Sequence, residues 1–224
     1  MGQPFETALS SLLDPDAAWM QGLQAAPGHP LTNARGVGIG AVLAVLRPNP
    51  LEVLVVQKAD VDGFEFSGMW SMPGGMVRCS ESSAENPDPL LLLANSLSKR
   101  VQLECGISGV TAAQLSPVVI LPPPVTRYTA KGMLRHTVVL PFLFTGPEPL
   151  HLVASDRSVR NPQWMKVDEA LRATAPANRL ILASLVWPSL TKPERNQLTP
   201  DVNAARQQCN SWAAEVGLSP TQGP

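Results

Sequence analysis

The stretch M-W-S-M-P-G-G-M-V-R-C-S-E, Met69 to Glu81, leads through a polar link into L-L-L-L-A-N-S-L-S-K-R-V-Q-L-E-C-G-I, Leu90 to Ile107. It reads as a loop, a turn at Pro73-Gly74-Gly75 and a helix closed by glycine. Pro73 fixes φ, and the two glycines allow a backbone path, or a close ligand approach, that a Cβ would block. Asp88 can cap the helix, Pro89 suits its first position, and Gly106 suits the left-handed residue just past its end. At 100° per residue Leu90, Leu93, Ala94, Leu97, Val101 and Cys105 share one face, with Arg100 and Glu104 side by side on its flank. Such a charged edge beside a glycine loop suits phosphate and metal; an amphipathic helix with a solvated edge accounts for the same pattern.

Outward from this unit, the composition is that of an ordinary globular chain of one-domain size with short extensions. Lysine and arginine number 17 against 18 acids, a net charge of −1, which argues against a dedicated nucleic-acid or anionic-membrane surface. No apolar run reaches the length of a membrane span, and the N-terminus lacks the basic and apolar regions of a signal peptide. Three cysteines without close ligand spacing point to free thiols and a cytoplasmic setting.

Phe5, Leu9, Leu12 and Leu13 recur at helical spacing, so residues 4 to 26 predict a short helical arm. Val37 to Val45 reads as a strand buried on both faces. Arg47 to Pro50 is a turn, and Glu52 to Gln57 the returning strand. Phe64, Phe66 and Trp70 flank a polar loop and either stack a base or pack on the core. Pro117 to Leu121 predicts a strand, Pro122 to Arg135 a long loop, and Thr137 to Phe144 another strand. Arg127, Tyr128, Lys131 and Arg135 form the densest basic group and suit an anionic ligand; a solvated loop explains them equally. His136 heads an apolar strand, as a hydrogen-bonded structural histidine does. Trp164, Met165 and Val167 predict a strand followed by a helix capped at Asp168. Leu180 to Leu190 and Pro200 to Val216 predict helices, the second with a stripe of Val202, Ala205, Cys209, Trp212, Ala213 and Val216.

Gly75, five residues, Glu81, then after a gap a basic residue, an acid and Gly106-Ile107 resemble the Nudix box, G-x5-E-x7-R-E-U-x-E-E-x-G-U. Gly68 to Gly75 (G-M-W-S-M-P-G-G) is similar to the lead-in common in that family. The resemblance reaches from about Val37 to about Leu171. It implies an α/β fold, a Nudix-type α/β/α sandwich with a mixed sheet between helices. The chain then divides into an N-terminal helical arm (1–34), a Nudix domain (35–171) and a C-terminal helical extension (172–224). It also implies hydrolysis of the pyrophosphate in a nucleoside diphosphate derivative, with divalent metal held on helix glutamates.

The helix half departs from the pattern. Counted back from Gly106, Lys99 and Arg100 take the places of the box arginine and first glutamate, and Leu103 and Glu104 those of the glutamate pair. Aligned on Arg100 instead, Glu104 and Cys105 form the pair and the glycine comes early. Either way one helix carboxylate of three survives, and the spacer after Glu81 is longer than the pattern. Mg²⁺ wants several hard oxygens near octahedral geometry. Glu81 and Glu104 are therefore the catalytic and metal-holding candidates for one weakly held Mg²⁺. Gly74, Gly75, Arg100, Arg127 and Tyr128 are the substrate-binding candidates, and Arg100 pairs with Glu104 or attracts pyrophosphate directly. Some members of that family place a general base or a further metal carboxylate in a loop before the strand at Trp164, and Asp156 and Glu148 are the acids nearby. The alternative function is a catalytically silent Nudix-fold binding or regulatory module; the expected partner is a small nucleotide derivative, with a homodimer as a further expectation.

Overall fold

The computed structural model describes Gly22 and residues 30–60, 65–78, 89–130, 132–149 and 151–222. Residues 1–21 and 23–29 of the N-terminal arm, with Phe64, Cys79, Glu81, Asp88 and Lys131, lie outside the described residues. Nine strands and four α-helices are described: β1 Gly38–Ala44, β2 Leu46–Pro48, β3 Leu51–Lys58, β4 Trp70–Ser71, β5 Gly74–Met76, α1 Pro89–Cys105, β6 Leu115–Pro117, β7 Val125–Ala130, β8 Met133–Phe144, β9 Val159–Lys166, α2 Val167–Ala173, α3 Pro176–Val186 and α4 Lys192–Glu215.

The strands form a five-stranded mixed sheet and a four-stranded antiparallel sheet. In the first, β1 runs parallel to β8 and antiparallel to β5. In the second, β3 pairs with β2, β4 and β9. Helix α1 packs on β1 and β5, and α2 on β3. The architecture is the α/β/α sandwich that the resemblance implies.

Every residue of β1 is buried, as its unbroken run of small and apolar side chains requires. The buried face of α1 carries Leu93, Ala94, Leu97, Val101 and Cys105, and Gly106 takes φ +77° just beyond the helix. Burial in apolar surroundings pushes the Cys105 and Cys209 thiols up to about 12.

Five expectations need correction. Strand β3 does not return along β1: the chain breaks at Val45, and β3 folds back on the short β2 in the other sheet. The segment Pro122 to Arg135 is no long loop; β7 and β8 form a hairpin turned at Gly132, whose φ of +72° needs glycine. Strand β6 lies earlier than expected, at Leu115–Pro117. Helix α4 starts at Lys192, because Thr191 accepts from the Glu194 N–H while the Glu194 carboxylate accepts from the Thr191 N–H, a reciprocal cap. Pro200 then sits inside the helix rather than opening it. Asp168 falls in the first turn of α2 and pairs with Arg172 at 3.3 Å instead of capping.

Candidate functional site

Strand β5 begins at Gly74 with φ +146°, directly against β1; a Cβ there would lie 2.2 Å from the Ala41 carbonyl oxygen. Glycine is thus demanded by the packing of two backbones. At Gly75 a Cβ would meet the Arg100 side chain at 3.5 Å, so the arginine covers this side of the turn. The turn is held to α1 by one bond, in which the Gly74 N–H donates to Glu104 Oε2 at 2.9 Å.

Glu104 is not on a solvated edge: the residue is 1% exposed. Its other oxygen, Oε1, lies 4.0 Å from the Lys58 ammonium at the end of β3. Burial raises the Glu104 carboxyl above its ordinary value; Lys58, the Gly74 N–H and Arg100 oppose that rise, while the Asp156 charge adds to it. Arg100 does not pair with Glu104. It reaches the loop before β9, where Nη1 donates to Asp156 Oδ2 at 3.0 Å. Burial works to raise the Asp156 carboxyl, but hydrogen bonds from Ser158 together with Arg100 and Lys58 win, and it lies below its ordinary value. Two acids and two bases thus form one network beside the turn.

This network borders a cavity of about 610 Å³, a size suited to a small organic ligand. Gly74, Gly75, Lys58, Arg100 and Glu104 line one part of it; Phe66, Met69, Trp70, Met72, Tyr128 and Asn178 contribute elsewhere. Asn178, near the start of α3, is locked by accepting the Met72 N–H on Oδ1 at 2.9 Å. The C-terminal segment therefore helps build the cavity.

Of the substrate-binding candidates, Gly74, Gly75, Arg100 and Tyr128 come together on the cavity. Arg127 does not join them. Neighbouring residues on a strand point to opposite faces, and Arg127 Nη1 donates to Glu215 Oε1 of α4 at 2.9 Å. Its guanidinium lies 6.0 Å from the Trp212 ring centroid. His136 joins the same carboxylate at 2.8 Å, the structural role expected of it. Glu148 pairs with Arg47 and is not among the cavity residues. Phe66 lines the cavity with its ring edge-on to Trp212, 6.3 Å between centroids, so it is both core contact and wall.

The described donors do not fit Mg²⁺. Among the described residues no three of His, Cys, Asp and Glu gather where an ion could be held. Glu104 already accepts a backbone N–H and faces an ammonium, and Asp156 is held by Arg100 and Ser158. Unit charges 4 Å apart interact by about 4 kcal/mol at an effective dielectric near 20, so a divalent ion entering beside Lys58 meets roughly twice that repulsion.

Lys58 and Asn178 carry parts of the site that sequence reasoning missed, and of the two acids it named, Asp156 and Glu148, only Asp156 joins the network. Lys58 stood at the start of a polar loop, far from Glu104 in the chain. A lysine ending an apolar strand just before the loop to the glycine turn was the available signal. For Asn178 there was none beyond a polar residue inside an apolar helix.

No protein-family model matches the sequence, and no curated protein matches it. Solved structures similar to this chain include the MutT protein of Methanosarcina mazei Go1, at TM-score 0.46 and 14% identity over 68% of this chain and 95% of that one. The dihydroneopterin triphosphate pyrophosphohydrolase of E. coli gives TM-score 0.44 and 15% identity over 67% and 95%. The Nudix domain of Shewanella oneidensis NrtR, complexed with ADP ribose, gives TM-score 0.41 and 17% identity over 68% and 88%.

Proposed function

We propose that the cavity binds a nucleoside diphosphate derivative, and that the chain is a Nudix-fold binding or regulatory module whose hydrolytic chemistry is weak or gone. The observation that carries this is the charge network: each described acid beside the glycine turn is already matched with a basic side chain. Arg100 and Lys58 supply N–H donors for phosphate oxygens, and Phe66, Trp70 and Tyr128 supply aromatic surface for a base. In this reading the box has kept its turn and helix as a scaffold and lost most of its metal-holding acids. The setting is cytoplasmic and the ligand a small molecule; gel filtration decides whether two copies pair.

The second reading is a pyrophosphohydrolase with a weakened metal site, in which Glu81 and Glu104 share one Mg²⁺. One observation favours it: Glu104, the box carboxylate that survives, lines the cavity beside Gly74.

A panel of ADP-ribose, dinucleoside polyphosphates and nucleotide sugars separates the two. The binding reading expects a ligand-induced rise in Tm without turnover. Mg²⁺-dependent release of nucleoside monophosphate that Glu104→Gln abolishes establishes the hydrolase instead.

A further inference from the structure

We infer that Lys58 takes the place a divalent cation would need beside Glu104, so that Lys58 and Arg100 hold a pyrophosphate directly, without metal. The inference rests on the nucleotide-binding reading above and names the residues and the metal requirement of that same site.

Lys58 closes β3, where its backbone is fixed on both sides. Its N–H donates to the Met69 carbonyl, its carbonyl accepts from the Gly68 N–H, and it is paired with Val159 across the ladder. The ammonium is thereby presented to Glu104 Oε1 at 4.0 Å, and its charge is also felt at Asp156. A tethered cation acting on both carboxylates supplies the local charge neutralisation that a metal would supply, at one fixed position.

The order of burial decides which charges a ligand meets. The Glu104 side chain is 1% exposed, whereas those of Lys58 and Arg100 are 22% and 28% exposed. All three border the cavity, but Glu104 is closed off from solvent while the two cations are the more exposed groups there. At 4.0 Å the Lys58–Glu104 pair is longer than a hydrogen bond, so among the described residues the ammonium N–H groups have no hydrogen-bond acceptor. Arg100 uses Nη1 on Asp156, and among the described residues Nε and Nη2 have no hydrogen-bond partner. Charge-assisted bonds from such groups to phosphate oxygens are the strong class of hydrogen bond. At Gly75 the absence of a side chain leaves the Arg100 guanidinium uncovered, since a Cβ there would lie 3.5 Å from its Nε.

The test is calorimetric titration of the full chain with ADP and with inorganic pyrophosphate, once in EDTA and once in Mg²⁺. The expected result is equal affinity in both, with Mn²⁺ alone leaving Tm unchanged. Lys58→Met leaves Glu104 without its cation, so the double variant K58M/E104Q, checked by circular dichroism, guards against misfolding. It is expected to weaken pyrophosphate binding by about tenfold or more, the loss of one or two charge-assisted bonds. Lys58→Arg is expected to keep most of the affinity. Binding seen only with Mg²⁺, or undiminished in a folded K58M/E104Q protein, overturns the inference and leaves the nucleotide-binding reading standing. Absence of binding under every condition removes both.

Discussion

Two ion-pair clusters in this chain use the same side-chain chemistry to different ends. At the cavity, Glu104 and Asp156 meet Lys58 and Arg100; on the other side of β7, Glu215 meets Arg127 and His136. The first is built around a carboxylate that is 1% exposed, the second around one whose side chain is 34% exposed. The exposed cluster ties the C-terminal end of α4 to the hairpin and works largely in solvent, where such pairs contribute little. At the first, Glu104 is shut off from solvent and depends on its partners for charge balance. Burial, more than composition, separates a brace from a site.

Two glycines of the sheet that lies between the clusters offer the sharpest contrast. Gly74 and Gly132 both have positive φ, at +146° and +72°. An added Cβ at Gly74 strikes the Ala41 oxygen at 2.2 Å, whereas at Gly132 it meets nothing within 4 Å. Gly74→Ala is expected to destabilise by about 4 kcal/mol or more, and Gly132→Ala by about 1–2 kcal/mol from backbone strain alone. Urea unfolding of both variants checks this, and similar losses would show that the turn at Gly74 relaxes.

The carboxylates come next. Glu104→Ala leaves the Gly74 N–H unpaired and Lys58 facing a hole, at a cost of about 2–4 kcal/mol. Glu215→Ala, in the exposed cluster, is expected to cost at most about 1 kcal/mol. Equal effects would erase the distinction between the clusters. A large effect at Glu215 would make the C-terminal helix dependent on that contact.

How much of this was readable in the chain depends on whether the signal was local. Pro89, Gly106 and the face from Leu93 to Cys105 delimit α1 within the residues themselves, and the unbroken apolar run of β1 announces burial on both sides. The hairpin at Gly132 was obscured by three prolines before it and a basic cluster around it. Helix α4 had its start signal in Thr191 and Glu194, but Pro200 masked the continuity. Pairing across the sheets was not legible: nothing in β3 says that its partner is β9 rather than β1. For the site, the glycine turn and Glu104 were legible because they lie within one motif. Lys58 was not, and Asp156 could be named only alongside Glu148, since both Lys58 and Asp156 reach Glu104 and Arg100 only through long-range strand pairing.

The smallest expected effect is on the pH dependence of stability. Burial raises the folded-state value of Glu104, so between the ordinary carboxylate value and that raised value the folded chain binds more protons than the unfolded one. Stability from this group therefore falls as pH rises through that window. Asp156 has the opposite sign: its value is lowered, its contribution is present above the ordinary carboxylate range, and it is lost on acidification. Glu215, lowered chiefly by its hydrogen bond to His136, behaves like Asp156. In Glu104→Gln the first contribution disappears and the other two remain. The Tm of this variant relative to the native chain is thus expected to climb as pH is raised from acid towards neutral. A difference that stays flat would mean that Lys58 and the Gly74 N–H fully offset the burial of Glu104, which would then be an ordinary ion pair like the one on Glu215.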